Sequence, residues 1–167
     1  TMINGQRKVT KDVVKSVTST EDVAILKLHG PGVGFKSGIL ARVTNQLDSL
    51  GINIKSVLTA QTAINILLAR DHLDAAYAAL AEHHLAGVVE VSRNAEVAIV
   101  AVVGDGVLEA SDVGSAIASR ALSAAIASGV RVCLAAAGAS EVAAYMLVHQ
   151  DDTKLALQAV HAEFFGA

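Results

Sequence analysis

Apolar positions in this chain follow two rhythms that alternate along its length. Val23-Ala-Ile-Leu-Lys-Leu-His29 is a nearly continuous apolar run, short enough for a strand and stopped by Gly30. Ile39, Val43, Leu47 and Leu50 then recur at helical spacing, which predicts a helix from about Gly38 to Leu50. Ser37 is placed to be its N-cap and Gly51 its stop. Ile52 to Leu58 alternates apolar and polar, and Ala63 to Leu68 follows after a brief turn, which predicts an antiparallel strand pair. Asp71 is placed to cap a second helix with Leu73, Tyr77 and Leu80 on one side, and Val88 to Val91 reads as a closing strand. The order strand, helix, strand, strand, helix, strand is that of a ferredoxin-like βαββαβ unit.

The same order then returns. Gly104 closes the run Val97–Val103 as Gly30 closes the run before it, 74 residues earlier. A helix ending at Gly129, strands at Val130–Leu134 and Ala143–His149, and a last helix from Asp151 or Asp152 through Phe164 complete the match, and such self-similarity signals tandem units. The second unit lacks a closing strand, while the weakly alternating stretch Val13–Thr20 is a strand without a unit. The simplest bookkeeping lets that opening strand complete the second unit's sheet, so that the first unit is inserted in the second. The expected fold class is α+β: two βαββαβ units with antiparallel sheets and helices on one face. The expected domains are residues 23–92 and residues 1–22 plus 93–167. Because Val97–Val103 is apolar on both faces and a unit of this size is marginal alone, its second face is expected to be covered by another unit or a second chain.

Composition narrows the function. The 167 residues are 53% hydrophobic and carry a net charge of −3, which gives no pull toward nucleic acid or an anionic membrane. Aromatics are 3% with no Trp, so platforms for stacking bases are not expected. One cysteine, Cys133, excludes an internal disulfide and suits a reducing compartment such as the cytoplasm. No apolar signal segment opens the chain, and Met2 behind Thr1 reads as the start of a piece of a longer protein. Ala121–Ser140 holds one charge, Arg131, but Gly129 interrupts it, and a helix followed by a strand fits better than a membrane span. The six histidines, His83-His84 among them, show no metal-ligand spacing, so neither metal nor cofactor is expected.

The chemistry concentrates in Gly30-Pro-Gly-Val-Gly-Phe-Lys-Ser-Gly38. Lys36-Ser37 invites a phosphate-loop reading. Counting from Gly30, however, the second required glycine falls on Phe35, and phenylalanine does not follow that backbone without strain. The antiparallel unit also lacks the long crossovers of a nucleotide fold. The alternative is a small-ligand loop: amides at a helix N-terminus favour a carboxylate, and the strand after Gly51 can offer Asn53 and backbone groups to an α-amino group. Ser37 reads as a cap and not a nucleophile.

The strand–Gly-Pro-Gly-Val loop–helix–Gly51-Ile-Asn-Ile order resembles the ACT domain, an amino-acid-sensing module. Two such units, preceded by Val13-Val-Lys-Ser-Val-Thr-Ser19 and followed by His161-Ala-Glu-Phe-Phe165, resemble the C-terminal regulatory region of the aspartate kinase family. Thr1-Met-Ile3 looks like the tail of that family's stretch at the end of the kinase domain. The resemblance implies an inserted first ACT unit, a homodimer through ACT domains, a kinase domain as partner and no catalytic residues in this chain. It implies an effector, threonine or lysine, lined by Val33, Lys36, Gly38, Ile39, Leu40, Asn53, Ile54, Lys55, Thr59 and Gln61. Two departures follow. Lys55 stands where lysine-sensing relatives carry an acid and is expected to repel a lysine side chain. Arg131 replaces Asn53 in the second unit, whose loop Asp105–Ser111 is acidic, so that unit is expected to be structural. A free-standing double-ACT protein, or the regulatory subunit of another biosynthetic enzyme, is the alternative.

Overall fold

The computed structural model describes residues 13–82, 85, 87–105, 112–138, 140 and 142–166. Residues 1–12, His83-His84 and the acidic loop beyond Asp105 lie outside them. The chain forms two compact units, residues 20–98 and residues 1–19 with 99–167.

In the unit of residues 20–98, β2 (Ala24–His29), β3 (Ile54–Thr59), β4 (Ala63–Leu68) and β5 (Glu90–Asn94) form an antiparallel sheet in the order β3-β4-β2-β5. The ferredoxin-like expectation is met. Helix α1 (Ile39–Ser49) buries Ile39, Val43 and Leu47, each to 2% exposure or less, against Leu26, Leu28 and Ile66 of the sheet. Each such side chain contributes roughly 1.5–3 kcal/mol of transfer free energy. Helix α2 (Leu73–Glu82) adds Leu73, Ala76 and Leu80.

Several boundaries differ from the pattern reading. The N-cap of α1 is Gly38, in the left-handed conformation at φ +78, and not Ser37. Leu50 lies past the helix end and is 47% exposed, so it leaves the apolar face. Asp71 sits inside a short 3-10 turn (Arg70–His72) ahead of α2 and does not cap the helix. The closing strand begins at Glu90, because Val88 turns the chain with its N–H on the Leu85 carbonyl.

In the other unit, β1 (Val14–Thr20), β6 (Val97–Gly104), β7 (Val132–Ala136) and β8 (Ala143–His149) lie in the order β1-β6-β8-β7. The opening strand is thus an edge beside β6. Along β6, Val97, Val100 and Val102 are buried while Ile99, Ala101 and Val103 are half-buried. Helices α3 (Asp112–Ala127) and α4 (Thr153–Phe165) pack together, tied by an Arg120–Glu163 ion pair at 2.7 Å and by the Arg120 guanidinium over the Phe164 ring.

The two units repeat one detail that no periodicity announces. The β3–β4 register slips between Ile54 and Ser56, and the β7–β8 register slips between Val132 and Leu134. Each outer strand therefore carries a bulge, at Lys55 and at Cys133. Bulges of this kind twist an edge and re-aim its side chains.

Candidate functional site

The glycine-rich loop of residues 30–38 is built by backbone contact. The N–H of Gly30 donates to the Thr62 carbonyl at 3.0 Å, that of Gly34 to Gln61 at 2.8 Å and that of Gly32 to Gly87 at 3.2 Å. A Cβ on Gly32 would sit 2.5 Å from the Gly87 Cα, and one on Gly34 2.5 Å from the Gln61 carbonyl oxygen. The glycines are there so that the loop can press on the 60–63 turn and on Gly87. Their amides, with those of Val33, Phe35 and Lys36, are spent on protein carbonyls. They form no phosphate cradle, which agrees with the antiparallel sheet.

The amides left for a ligand are further on. The first helical bond runs from the Arg42 N–H to Gly38, so Ile39, Leu40 and Ala41 present N–H groups with no acceptor inside the helix. Arg42 adds a cation that the sequence reading missed: its guanidinium nitrogen lies 3.6 Å from where a Gly38 Cβ would be. The available signal was its place four residues beyond Gly38, one helical turn up.

The ten expected site residues do not meet in one chain. Val33 and Ile39 are core side chains, 8% and 2% exposed, and offer a ligand only their backbone. Lys36, Gly38 and Leu40 are exposed on the loop and first turn, with the Lys36 stem against Gly87. Thr59 pairs with Ile64 and Gln61 tops the adjoining turn, so both belong to this same end of the sheet. Asn53, Ile54 and Lys55 lie at the other end, because Ile54 pairs with Leu68, which pairs with Ala24. Five strand residues separate the groups by about 17 Å.

Lys55 is also not a bare ammonium. Its Nζ donates to Asp22 Oδ2 at 2.8 Å and to the Asp22 carbonyl. The Lys55 ammonium, helped by the Arg70 N–H, holds the Asp22 carboxyl below its ordinary pKa. In the other unit Arg131 is engaged in turn: its Nε donates to Asp152 Oδ2 at 2.8 Å, its Nη2 to Oδ1 at 3.1 Å and its N–H to Oδ2 at 3.0 Å. This fork lowers the Asp152 pKa to about 2. Among the described residues no group of three His, Cys, Asp or Glu is placed to hold a metal, and no helix is long and apolar enough to cross a membrane.

Residues 18–82 match the family model of the ACT domain. Residues 18–82 thus carry an ACT domain, and the two antiparallel sheets repeat its topology. The chain is homologous to aspartokinases and resembles their regulatory subunit. The bifunctional aspartokinase/homoserine dehydrogenase of Haemophilus influenzae is 25% identical over 174 residues, a match covering 99% of this chain and 21% of that protein. Aspartokinase 3, chloroplastic, of Arabidopsis thaliana is 26% identical over 172 residues, covering 99% and 30%. The chain therefore spans under a third of either relative. In fold it is similar to the ligand-free regulatory subunit of aspartate kinase from Thermus thermophilus, with a TM-score of 0.77, 24% identity and coverage of 91% of this chain and 98% of that one.

Proposed function

We propose that this chain is the amino-acid-sensing regulatory module of an aspartate kinase. It works as a homodimer through its ACT units, and an end-product amino acid, threonine or lysine, binds where two units meet and feedback-inhibits the kinase domain. The observation that carries this reading is the division of the site residues between opposite ends of a sheet whose outer strand, β3, is an edge. Two copies of β3 laid antiparallel about a two-fold axis would bring Asn53–Lys55 of one copy to the Thr59–Gln61 turn and loop of the other. The α-carboxylate would meet the Ile39–Ala41 amides and Arg42, and the α-ammonium would meet Asn53 and strand carbonyls of the other copy. Since Asp22 already compensates Lys55, that end of the site presents no net charge to the effector side chain. The unit of residues 20–98 is the sensor, and toward the effector the other unit, with Arg131 locked to Asp152, is structural. Inhibition follows from differential affinity: the ligand binds one arrangement of the dimer better and draws the population toward it.

Complementation tests the shared site. Asn53→Ala and Gln61→Ala chains should each lose the rise in melting temperature that threonine or lysine gives the parent. Mixed and re-equilibrated, they should recover part of it, because half the composite sites in a mixed dimer are intact. A mixture as unresponsive as its components would place both residues in one chain's site and defeat the proposal. No response of the parent to either amino acid would defeat sensing itself.

A further inference from the structure

We infer that the unit containing α3 has a binding site of its own, for a small uncharged molecule with a branched or aromatic apolar body. The site is a cleft of about 270 Å³ between α3 and the β7–β8 hairpin. Ala121 and Leu122 wall it from the helix, Ala135 and Ala136 from β7, and Ala144 and Tyr145 from β8.

The repeat shows which side chains differ where the cleft lies. The matching bulges align the hairpins, so that Val57 and Leu58 correspond to Ala135 and Ala136, and Ile64 to Ala144. Gly51 and Gly129, at φ +67 and +83, end the two helices alike and set Val43 against Ala121. In the first unit Val43 and Ile64 are closed over to 0% and 2% exposure, and Val57 packs on the same core. In the second unit all four positions are alanine, with Ala121 and Ala144 buried to 2% and 6%, Ala136 half-buried and Ala135 exposed. Buried Ile117, the Arg120–Glu163 ion pair and the Arg120 guanidinium over the Phe164 ring hold α3 to its neighbours.

What remains is a concave apolar site. An engineered apolar cavity of ~150 Å³ already binds benzene, so this cleft has room for a substituted ring or a branched chain. Alanine methyls give water no hydrogen bonds, so an apolar ligand displaces poorly held solvent. Among the described residues no Asp, Glu, Lys or Arg lines the cleft, so a charged ligand finds no counter-ion among them. Ser119 at the rim supplies a polar end for one hydroxyl or amide. The site stands independently of the dimeric effector site.

The test uses the full chain, p-cresol as probe and 4-hydroxybenzoate as the charged control. Alanine-methyl NMR during titration should show saturable shifts at Ala121, Ala135 and Ala144 with p-cresol and none with 4-hydroxybenzoate. Ala135→Val and Ala144→Ile restore the side chains of the first unit. They should raise the melting temperature without ligand and weaken p-cresol binding at least tenfold. Unmoved alanine methyls at millimolar p-cresol, equal shifts of these methyls with 4-hydroxybenzoate, or filled variants that bind as tightly as the parent would each overturn the site. Should a filled variant fail to fold, the methyl mapping on the parent still decides.

Discussion

Two residues show how local chemistry sets the limits of this fold. Gly34 is fixed by distance and not by backbone angle, since any Cβ would meet the Gln61 carbonyl at 2.5 Å. Gly34→Ala should therefore cost about 1–3 kcal/mol, read as a lower urea midpoint, and should loosen the turn bearing Gln61. Asp152 makes a prediction about acid. Its folded pKa of about 2 lies below the ordinary aspartate value of about 3.9. The Arg131–Asp152 fork thus stabilises the fold fully above roughly pH 4 and is lost as pH falls toward 2. Melting curves between pH 5 and 2 should decline less steeply for Asp152→Asn than for the parent. Equal slopes would mean the fork gives no pH-dependent support. Glycine's need for space at residue 34 left no mark in the sequence beyond the glycine itself, because its partner lies 27 residues away.

At the scale of elements, amphipathic spacing carried the reading. Ile39, Val43 and Leu47 announced α1, and all three are core. Leu47→Ala should cost about 2–5 kcal/mol with an unchanged denaturant slope, because Leu47 is fully buried and its neighbours are sheet side chains that cannot follow. Element ends were less legible. Ser37 and Asp71 have the chemistry of caps, yet Gly38 and a 3-10 turn hold those places. A cap depends on the entry angle of the chain, which neighbouring strands impose. The bulges at Lys55 and Cys133 were invisible for a related reason: a bulge belongs to a pair of strands, and alternation describes only one.

For the whole molecule, the position of β1 has the largest consequence. Val14–Thr20 lies beside β6 in a sheet whose other members begin some eighty residues later. Removing residues 1–20 would expose β6 as a bare apolar edge. Calorimetry of the shortened chain should show one unit melting at least about 5 °C lower, with aggregation, while the unit of residues 20–98 keeps its own transition. An unchanged trace would show that β1 contributes nothing to the sheet's stability.

Periodicity and punctuation by themselves determined two βαββαβ units, their helices and the loop that gathers the chemistry, because these follow from which residues avoid water at which spacing. Only the tertiary structure decided that the loop's glycine amides are already spent, that Asp22 holds Lys55, and that the residues expected for the site sit at two ends of one sheet. Those facts depend on partners distant in sequence, and local patterning carries no information about which distant groups the folded backbone will bring within hydrogen-bond reach.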